Sequence, residues 1–183
     1  MNTLIPRELS ADEKSRLETD IQLVSEFRQN KLEKDAKKNW DLFYKRNGDR
    51  FFKDRHWTER EFHELLGDDS NESVNDKPNL LEIGCGVGNF FFPLLESNPR
   101  FFMYACDFSD QAIKLCKINP KYSEKLCKAF TADITNENFV QLMQSESSSE
   151  SETLIDVASL IFVLSAIHPS KMSDALTNIY KVG

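Results

Sequence analysis

Residues 80–89 read LLEIGCGVGN, an apolar run that ends in an acid and passes into three glycines. This pattern is typical of a strand that turns sharply into a helix. A side chain at Gly84, Gly86 or Gly88 would obstruct a ligand that approaches the main chain. Dinucleotide folds prefer the spacing G-x-G-x-x-G, and Glu82 would place negative charge near a pyrophosphate. The stretch therefore predicts a site for S-adenosylmethionine, with a ligand-free turn and an NAD-dependent oxidoreductase as the alternatives.

Acids also follow the next two apolar runs. The run 101–106 ends at Asp107, about 20 residues past the glycine turn, where a carboxylate can accept hydrogen bonds from two ribose hydroxyls. The run 128–132 ends at Asp133, which suits an adenine amino group, and Ile134 suits the face of the adenine ring. A single acid at a strand end is often a helix cap or a turn former. Three in succession favour a binding site.

Apolar runs alternate with helical patterns from Leu80 onward, which predicts an α/β fold with a parallel sheet and right-handed crossovers. The predicted strands are 80–83, 101–106, 128–132 and 155–164, and the predicted helices are 89–96, 110–118, 136–143 and 169–182.

The region before the sheet is expected to be helical. A capping box from Ser10 to Glu13 opens one helix, or a broken one, from Ala11 to about Lys38, with Leu17, Ile21, Val24 and Phe27 on one stripe. A second amphipathic helix is predicted over 58–66. We expect three segments: a helical extension at 1–38, an aromatic-basic region at 39–78 that serves as cofactor lid and RNA contact, and the core at 79–183.

The charge of the chain is unevenly distributed. The net charge is -7, yet ten lysines and arginines stand against six acids between Lys31 and Arg60. In this window Lys53 and Arg55 alternate with the aromatic residues Phe51, Phe52 and Trp57, and rings for bases with cations for phosphates suit RNA. The two cations are our RNA-binding candidates. Packing of the N-terminal helices is the alternative role for Phe51 and Trp57.

Other site types find little support in the sequence. The four cysteines lack C-x-x-C spacing and the three histidines are scattered, so we expect neither a metal site nor a disulfide. The longest apolar runs are shorter than the ~20 residues of a membrane helix, and the first ten residues lack the apolar core of a signal peptide. We expect no membrane partner and a cytoplasmic protein, with the nucleus as a second compartment.

Three further stretches carry a family resemblance: NWDLFY at 39–44, CDFS at 106–109 and LIFVLSAIHP at 160–169. With the glycine turn and the strand-end acids, the chain resembles the methyltransferase-like enzymes that form 3-methylcytidine in the anticodon loop of tRNA. The resemblance covers about 17–182. His168 and Pro169 resemble the serine-tRNA branch of the family more than the other branches. It implies a Rossmann-like class I methyltransferase fold that uses S-adenosylmethionine.

The resemblance also implies site residues and partners. By it, Trp40, Tyr44, Gly84, Asp107, Asp133, Ile134 and Ile161 line the cofactor pocket, to which the residues themselves add Glu82 and Gly86. It implies serine tRNA as substrate, and a seryl-tRNA synthetase as an assisting partner.

The sheet is expected to be incomplete. The resemblance implies seven strands, whereas the sequence accounts for four and ends at Gly183, where relatives continue. We therefore expect a C-terminally truncated chain. A non-catalytic adapter, or an inactive fragment that binds RNA or a protein, is the alternative function.

Overall fold

The computed structural model of the chain describes residues 7–19, 24–62, 65, 77–147 and 155–183. Two compact units divide the chain, residues 1–35 and residues 36–183. The first contains helices α1 (Ala11–Thr19) and α2 (Glu26–Lys34). The predicted capping box is confirmed, because the Ser10 N–H donates to a Glu13 carboxylate oxygen at 2.8 Å and the Glu13 N–H donates to Ser10 Oγ at 3.3 Å.

The predicted N-terminal helix takes its broken form. Residues 24 and 25 are not helical, and α1 and α2 are separate elements. Leu17, Val24 and Phe27 of the predicted stripe are exposed, the last to 80%. Ile21 lies outside the described residues. The described residues of the stripe therefore form no buried face within the first unit.

The second unit begins with helices α3 (Ala36–Asn47) and α4 (Thr58–Glu61). The predicted helix over 58–66 is observed only across α4, and residues 63, 64 and 66 lie outside the described part of the chain. The boundaries predicted at 38 and 78 stay predictions.

Four parallel strands follow: β1 (Asn79–Ile83), β2 (Phe102–Asp107), β3 (Cys127–Thr131) and β4 (Val157–Ser159). Their spatial order is β3-β2-β1-β4. The central strand β1 is therefore bordered on both sides, and Glu82 pairs in register with Ala105 and with Ser159. The strand order reverses between β1 and β4, and in such sheets ligands bind outside the carboxyl ends of the strands at this point.

Helices cover both faces of the sheet. The four are α5 (Phe91–Ser97), α6 (Asp110–Lys117), α7 (Phe139–Glu146) and α8 (Pro169–Tyr180). Side chains from α5 and α6 pack with one set of strand residues, and side chains from α7 and α8 pack with the other set. Strands buried on both faces are continuously apolar, as the sequence shows for β1 and β2. The predicted Rossmann-like α/β fold is confirmed.

The fourth strand is shorter than predicted. The sequence predicts a strand over 155–164, but β4 ends at Ser159. A turn spans residues 161–163, and a 3-10 turn follows at Leu164–Ala166. Phe162 has a φ of 62°, which no strand residue adopts. The apolar residues of the run thus pack from a loop instead of a strand, with Leu160 and Ile161 half-buried against the core.

The described residues also bear on membrane and metal partners. None of the helices there is both long and apolar enough to cross a membrane. Within the same residues, His, Cys, Asp and Glu side chains nowhere gather in a group of three or more that would hold a metal ion.

Candidate functional site

The glycine turn between β1 and α5 lies at the carboxyl edge of the sheet. Gly84 and Gly86 have φ angles of 65° and 57°, in the left-handed region that favours glycine. A Cβ atom on Gly86 would lie 2.8 Å from the hydroxyl oxygen of Tyr44, and one on Gly84 would collide with the side chain of Val163. Both glycines are therefore required by close neighbours, which come from α3 and from the loop after β4.

Asp107, at the end of β2, holds the glycine turn. One carboxylate oxygen accepts the Gly86 N–H at 2.8 Å and the other accepts the Ser109 N–H at 2.8 Å. Burial raises the pKa of the Asp107 carboxyl, and these two N–H groups oppose the shift. Each oxygen keeps a second lone pair, so the predicted acceptance of ribose hydroxyls is compatible with both contacts.

Glu82 is the most deeply buried acid of the site. The residue is 1% exposed, and its Oε2 atom has no hydrogen-bond partner among the described residues. Burial raises the pKa of Glu82 well above its ordinary value, and the positive charge of Arg55 acts against the shift. A buried carboxylate oxygen without a donor is costly. The position fits a ligand that brings a cationic group, such as the α-ammonium group of S-adenosylmethionine.

Helix α3 is docked on the start of α6 by Asp41. A carboxylate oxygen of Asp41 accepts the Ser109 hydroxyl at 2.6 Å and the Gln111 N–H at 3.1 Å. Lys37, one turn earlier, pairs with Asp110 at 2.6 Å. Although burial alone would raise it, the pKa of Asp41 is lowered by the two donors and by Lys37. The start of a helix favours such an acceptor because its first N–H groups are unsatisfied.

This docking fixes the two aromatic residues predicted for the pocket. Trp40 and Tyr44 stack with ring centroids 6.1 Å apart, and Tyr44 is buried. Burial, with the nearby negative charge of Asp107, raises the pKa of the Tyr44 hydroxyl far above its ordinary value. The Tyr44 hydroxyl is therefore neutral, and it lies next to Gly86.

The aromatic-basic segment 51–57 is attached to the end of the glycine turn through Asn89. The Asn89 side-chain amide donates to Asp54 Oδ1 at 3.0 Å and to the Phe52 carbonyl at 3.3 Å. The Arg55 N–H donates to the Asn89 carbonyl at 2.7 Å. These contacts hold the segment against the end of the glycine turn.

The side chains of this segment divide between packing and exposure. Phe51 packs edge to face on Phe43 with centroids 4.9 Å apart and is still 59% exposed. Trp57 is half-buried beside Phe62. Lys53 is exposed, whereas Arg55 is half-buried and influences the pKa of Glu82. The two predicted RNA-binding cations therefore stand in different environments, and the RNA role of each stays a prediction.

The remaining predicted pocket residues lie at the same edge of the sheet in different roles. Asp133 is half-buried, and its Oδ1 accepts both the N–H and the hydroxyl of Thr135, at 2.9 and 2.7 Å. Ile134 is buried in the core on the α7 side, while Ile161 packs on the α5 side. Their contact with adenine stays a prediction.

Sequence reasoning missed three residues of this site: Asp41, Asn89 and Phe162. Asp41 lies 68 residues before its partner Ser109, and Asn89 contacts residues 35 and 37 positions away. No local pattern reports such contacts. Only the NWDLFY stretch drew attention to the neighbourhood of Asp41.

Comparison with known proteins places the site in a family. A family model described as a methyltransferase domain matches residues 81–182, which include the glycine turn, Asp107 and the loop after β4. The chain belongs to the methyltransferase domain family. The parallel sheet that carries the glycine turn and its acids Glu82 and Asp107 is thus a methyltransferase core. The family match also speaks against the NAD-dependent oxidoreductase.

Several curated methyltransferases are similar along most of the chain. The tRNA N(3)-cytidine methyltransferase METTL6 of Homo sapiens is 52% identical over 176 residues, which cover 96% of this chain and 59% of that protein. The tRNA N(3)-methylcytidine methyltransferase trm141 of Schizosaccharomyces pombe is 42% identical and covers 88% of this chain and 61% of that protein. METTL2 of Danio rerio, a tRNA N(3)-cytidine methyltransferase, is 36% identical and covers 83% and 50%.

The predicted resemblance to the 3-methylcytidine enzymes is confirmed by these identities. The chain spans about three fifths of the length of METTL6. The shared part contains the methyltransferase core and the segments that cover it.

Proposed function

We propose that the protein binds S-adenosylmethionine at the glycine turn and methylates N3 of a cytidine in the anticodon loop of tRNA. The observation that carries the proposal is the buried Glu82 oxygen, which has no hydrogen-bond partner among the described residues, beside a glycine turn that Asp107 holds in place. The names of the similar curated proteins support the tRNA cytidine as acceptor.

The residues divide the cofactor between them by charge. Glu82 faces the amino-acid part, whose ammonium group supplies the donor that its Oε2 lacks. Asp107 binds the ribose hydroxyls, as acids at the end of a second strand do in nucleotide sites. Tyr44, neutral and fixed by the docking of α3, closes the pocket above Gly86. Trp40 lies against Tyr44, while Asp133, Ile134 and Ile161 are proposed for the adenine end.

The reaction makes a limited demand on the protein. The cofactor, when bound, supplies a methyl group on a sulfonium sulfur, and the carbon–sulfur bond breaks as cytosine N3 forms its bond to that carbon. No general base is needed, because N3 already has a free lone pair at neutral pH. Alignment is the main contribution of the chain. Since N3 lies on the base-pairing edge, the cytidine must be unpaired or flipped out.

Substrate choice and partners belong to the same proposal. We infer serine tRNA as substrate from the resemblance at His168 and Pro169, where His168 caps α8 by accepting the Ser170 N–H at 3.3 Å. Lys53 and Arg55 are proposed to contact the RNA. A seryl-tRNA synthetase partner and a cytoplasmic location are proposed on the resemblance and on the composition.

Calorimetry with S-adenosylhomocysteine tests the cofactor site directly. We expect binding to the wild-type chain and its loss in Asp107→Ala. A methylation assay with serine tRNA transcripts then tests the reaction, with threonine tRNA for comparison. A folded chain that binds no S-adenosylhomocysteine would overturn the proposal and favour the adapter. Binding without transfer to either tRNA would keep the cofactor site and reject the reaction.

A further inference from the structure

Phe162 is an exposed aromatic residue in a strained backbone conformation. Its φ is 62°, a region that bulky residues rarely adopt, and 77% of its surface is exposed. Exposure of a phenyl ring and a left-handed backbone are both unfavourable. Strained residues of this kind cluster at ligand-binding sites, where the surrounding structure holds them.

The position of Phe162 links it to the glycine turn. It follows β4 by three residues, on the side of β1 where the strand order reverses. Its neighbour Val163 covers Gly84 so closely that a Cβ there would collide with it. The ring of Phe162 is therefore displayed beside the turn that we assign to the methyl donor.

Arg55, in the segment 51–57, contacts the ring of Phe162. Its guanidinium carbon lies 5.8 Å from the ring centroid, within the range of a cation–π contact. Arg55 belongs to the segment attached to Asn89, and its charge is felt at Glu82 and at Tyr44. A ring and a guanidinium thus stand together at the pocket border, and most of the ring is open.

We propose that Phe162 and Arg55 form the seat of the target cytosine, with the base stacked on the open face of the Phe162 ring. The inference rests on the proposed function and adds the residues that select an unpaired base. Aromatic side chains bind bases through their π faces, and guanidinium planes do the same. A flipped cytosine on this ring lies next to the turn where the methyl donor is assigned.

The matched variants are Phe162→Leu and Phe162→Tyr. Leucine keeps an apolar side chain but removes the ring, whereas tyrosine keeps the ring, so the pair separates stacking from packing. The probe is an anticodon stem-loop RNA in which each loop cytidine in turn is replaced by pyrrolocytidine, whose fluorescence falls on stacking. It is titrated with the full chain in the presence of S-adenosylhomocysteine.

We expect one loop position at which the wild type and Phe162→Tyr quench the probe. Phe162→Leu binds that RNA about tenfold more weakly, within the range for loss of one stacked base, and without the quench. Arg55→Ala weakens binding as well. Tyr180→Ala is the control, because Tyr180 is 86% exposed at the far end of α8, next to the residues that precede β4, and its variant retains the wild-type signal.

The readouts separate this inference from the proposed function. If the chain methylates tRNA but Phe162→Leu matches the wild type in affinity and quench, the base seat is wrong and the reaction stands. If no loop position is quenched by the wild type, the base seat is also wrong. A quench that depends on the ring, in a chain that transfers no methyl group, would support the base seat and reject the reaction. Unchanged S-adenosylhomocysteine affinity shows that the Phe162 and Tyr180 variants are folded, and an unchanged thermal unfolding transition shows it for Arg55→Ala.

Discussion

The carboxylate of Asp107 accepts the N–H of Gly86 at 2.8 Å, so the end of the second strand holds the turn that follows the first. The same side chain is the expected ribose acceptor. We therefore expect cofactor binding and the conformation of the turn to depend on one residue. Such a double role would distinguish Asp107 from an acid that only contacts a ligand.

Asp107→Asn is expected to lower both stability and cofactor affinity. Asparagine replaces one acceptor oxygen with an NH2 group, so either Gly86 or Ser109 loses its partner. A buried unpaired N–H costs about 1–3 kcal/mol, and we expect a lower free energy of unfolding in urea. We also expect S-adenosylhomocysteine affinity to fall by at least about tenfold.

Asp156 supplies the matched control for Asp107. Its carboxylate accepts the Asn79 N–H at 2.7 Å at the opposite edge of the sheet. Asp156→Ala removes this contact far from the turn, so it should lower stability and leave the cofactor affinity unchanged. Equal losses of affinity in both variants would show that Asp107 acts only through folding.

Asp41→Ala tests the docking of α3 on α6. Loss of a helix-capping acceptor costs about 0.5–2 kcal/mol, and release of α3 also frees Trp40 and Tyr44. We expect lower stability together with weaker S-adenosylhomocysteine binding. Asp110→Ala is the comparison, because it removes the exposed pair with Lys37 and a side-chain hydrogen bond with Thr131 but leaves Asp41 in place, and exposed pairs contribute about 0–1 kcal/mol. A cofactor affinity that is equal in both variants would contradict the lid role of α3.

The same Asp41 has a defined pH dependence. Its pKa is lowered in the folded chain, so the stabilisation is present above the unfolded pKa and is lost as pH falls through the folded pKa. The stability difference between wild type and Asp41→Ala should therefore shrink in acid. Urea unfolding from neutral pH down to about pH 3 measures it, and a difference independent of pH would exclude an ionised Asp41.

Glu82→Gln is expected to stabilise the chain while it weakens cofactor binding. The pKa of Glu82 is raised on folding by burial, so the wild type loses stability as pH rises from the unfolded pKa through the folded pKa. The glutamine variant lacks this loss. Its melting temperature should exceed that of the wild type at neutral pH, with a gap that narrows towards pH 4.

The second readout for Glu82 is proton release. A cationic group placed beside Glu82 lowers the pKa of that carboxyl, so binding of S-adenosylhomocysteine should release protons. Calorimetry in two buffers of different ionisation enthalpy detects this release, and Glu82→Gln should show less of it. Equal release by both proteins would mean that the ammonium group does not meet Glu82.

Substitution of Lys53 and substitution of Arg55 are expected to have different effects on ligand binding. Lys53 is exposed, so Lys53→Ala should weaken RNA binding for every sequence and reduce the salt slope by about one. Arg55→Ala should also change the pH dependence of cofactor binding, because Arg55 opposes the pKa shift of Glu82. RNA binding at several salt concentrations checks the first expectation and cofactor binding at several pH values checks the second, and identical profiles for the two variants would contradict both.

The elements that the sequence predicts well are those with a local cause. β1, β2 and β3 are apolar runs that stop at an acid or a glycine. Ser109 precedes α6 and caps it, because its side chain accepts the Ala112 N–H. Composition, period and end signal agree in each case. The structure moves these boundaries by only a few residues.

The parts that the sequence predicts poorly depend on distant contacts. The run 155–164 is apolar except for Asp156 and Ser159 and contains no glycine or proline, so its composition does not reveal that β4 stops at Ser159 and that Phe162 turns outward. The same holds for Asp41, whose partners stand 68 and 70 residues later. Acids at strand ends can be predicted from the sequence, whereas the contacts that dock α3 over them cannot.

Asn89 connects the glycine turn to the segment that we propose for the acceptor. Its amide and carbonyl connect the glycine turn to Phe52, Asp54 and Arg55, so a ligand that sets the conformation of the turn also sets the segment on which the acceptor is expected to rest. On the proposed function, we expect the methyl donor to complete the binding surface for the acceptor. We then expect a compulsory order in which the cofactor binds first and its demethylated product leaves last.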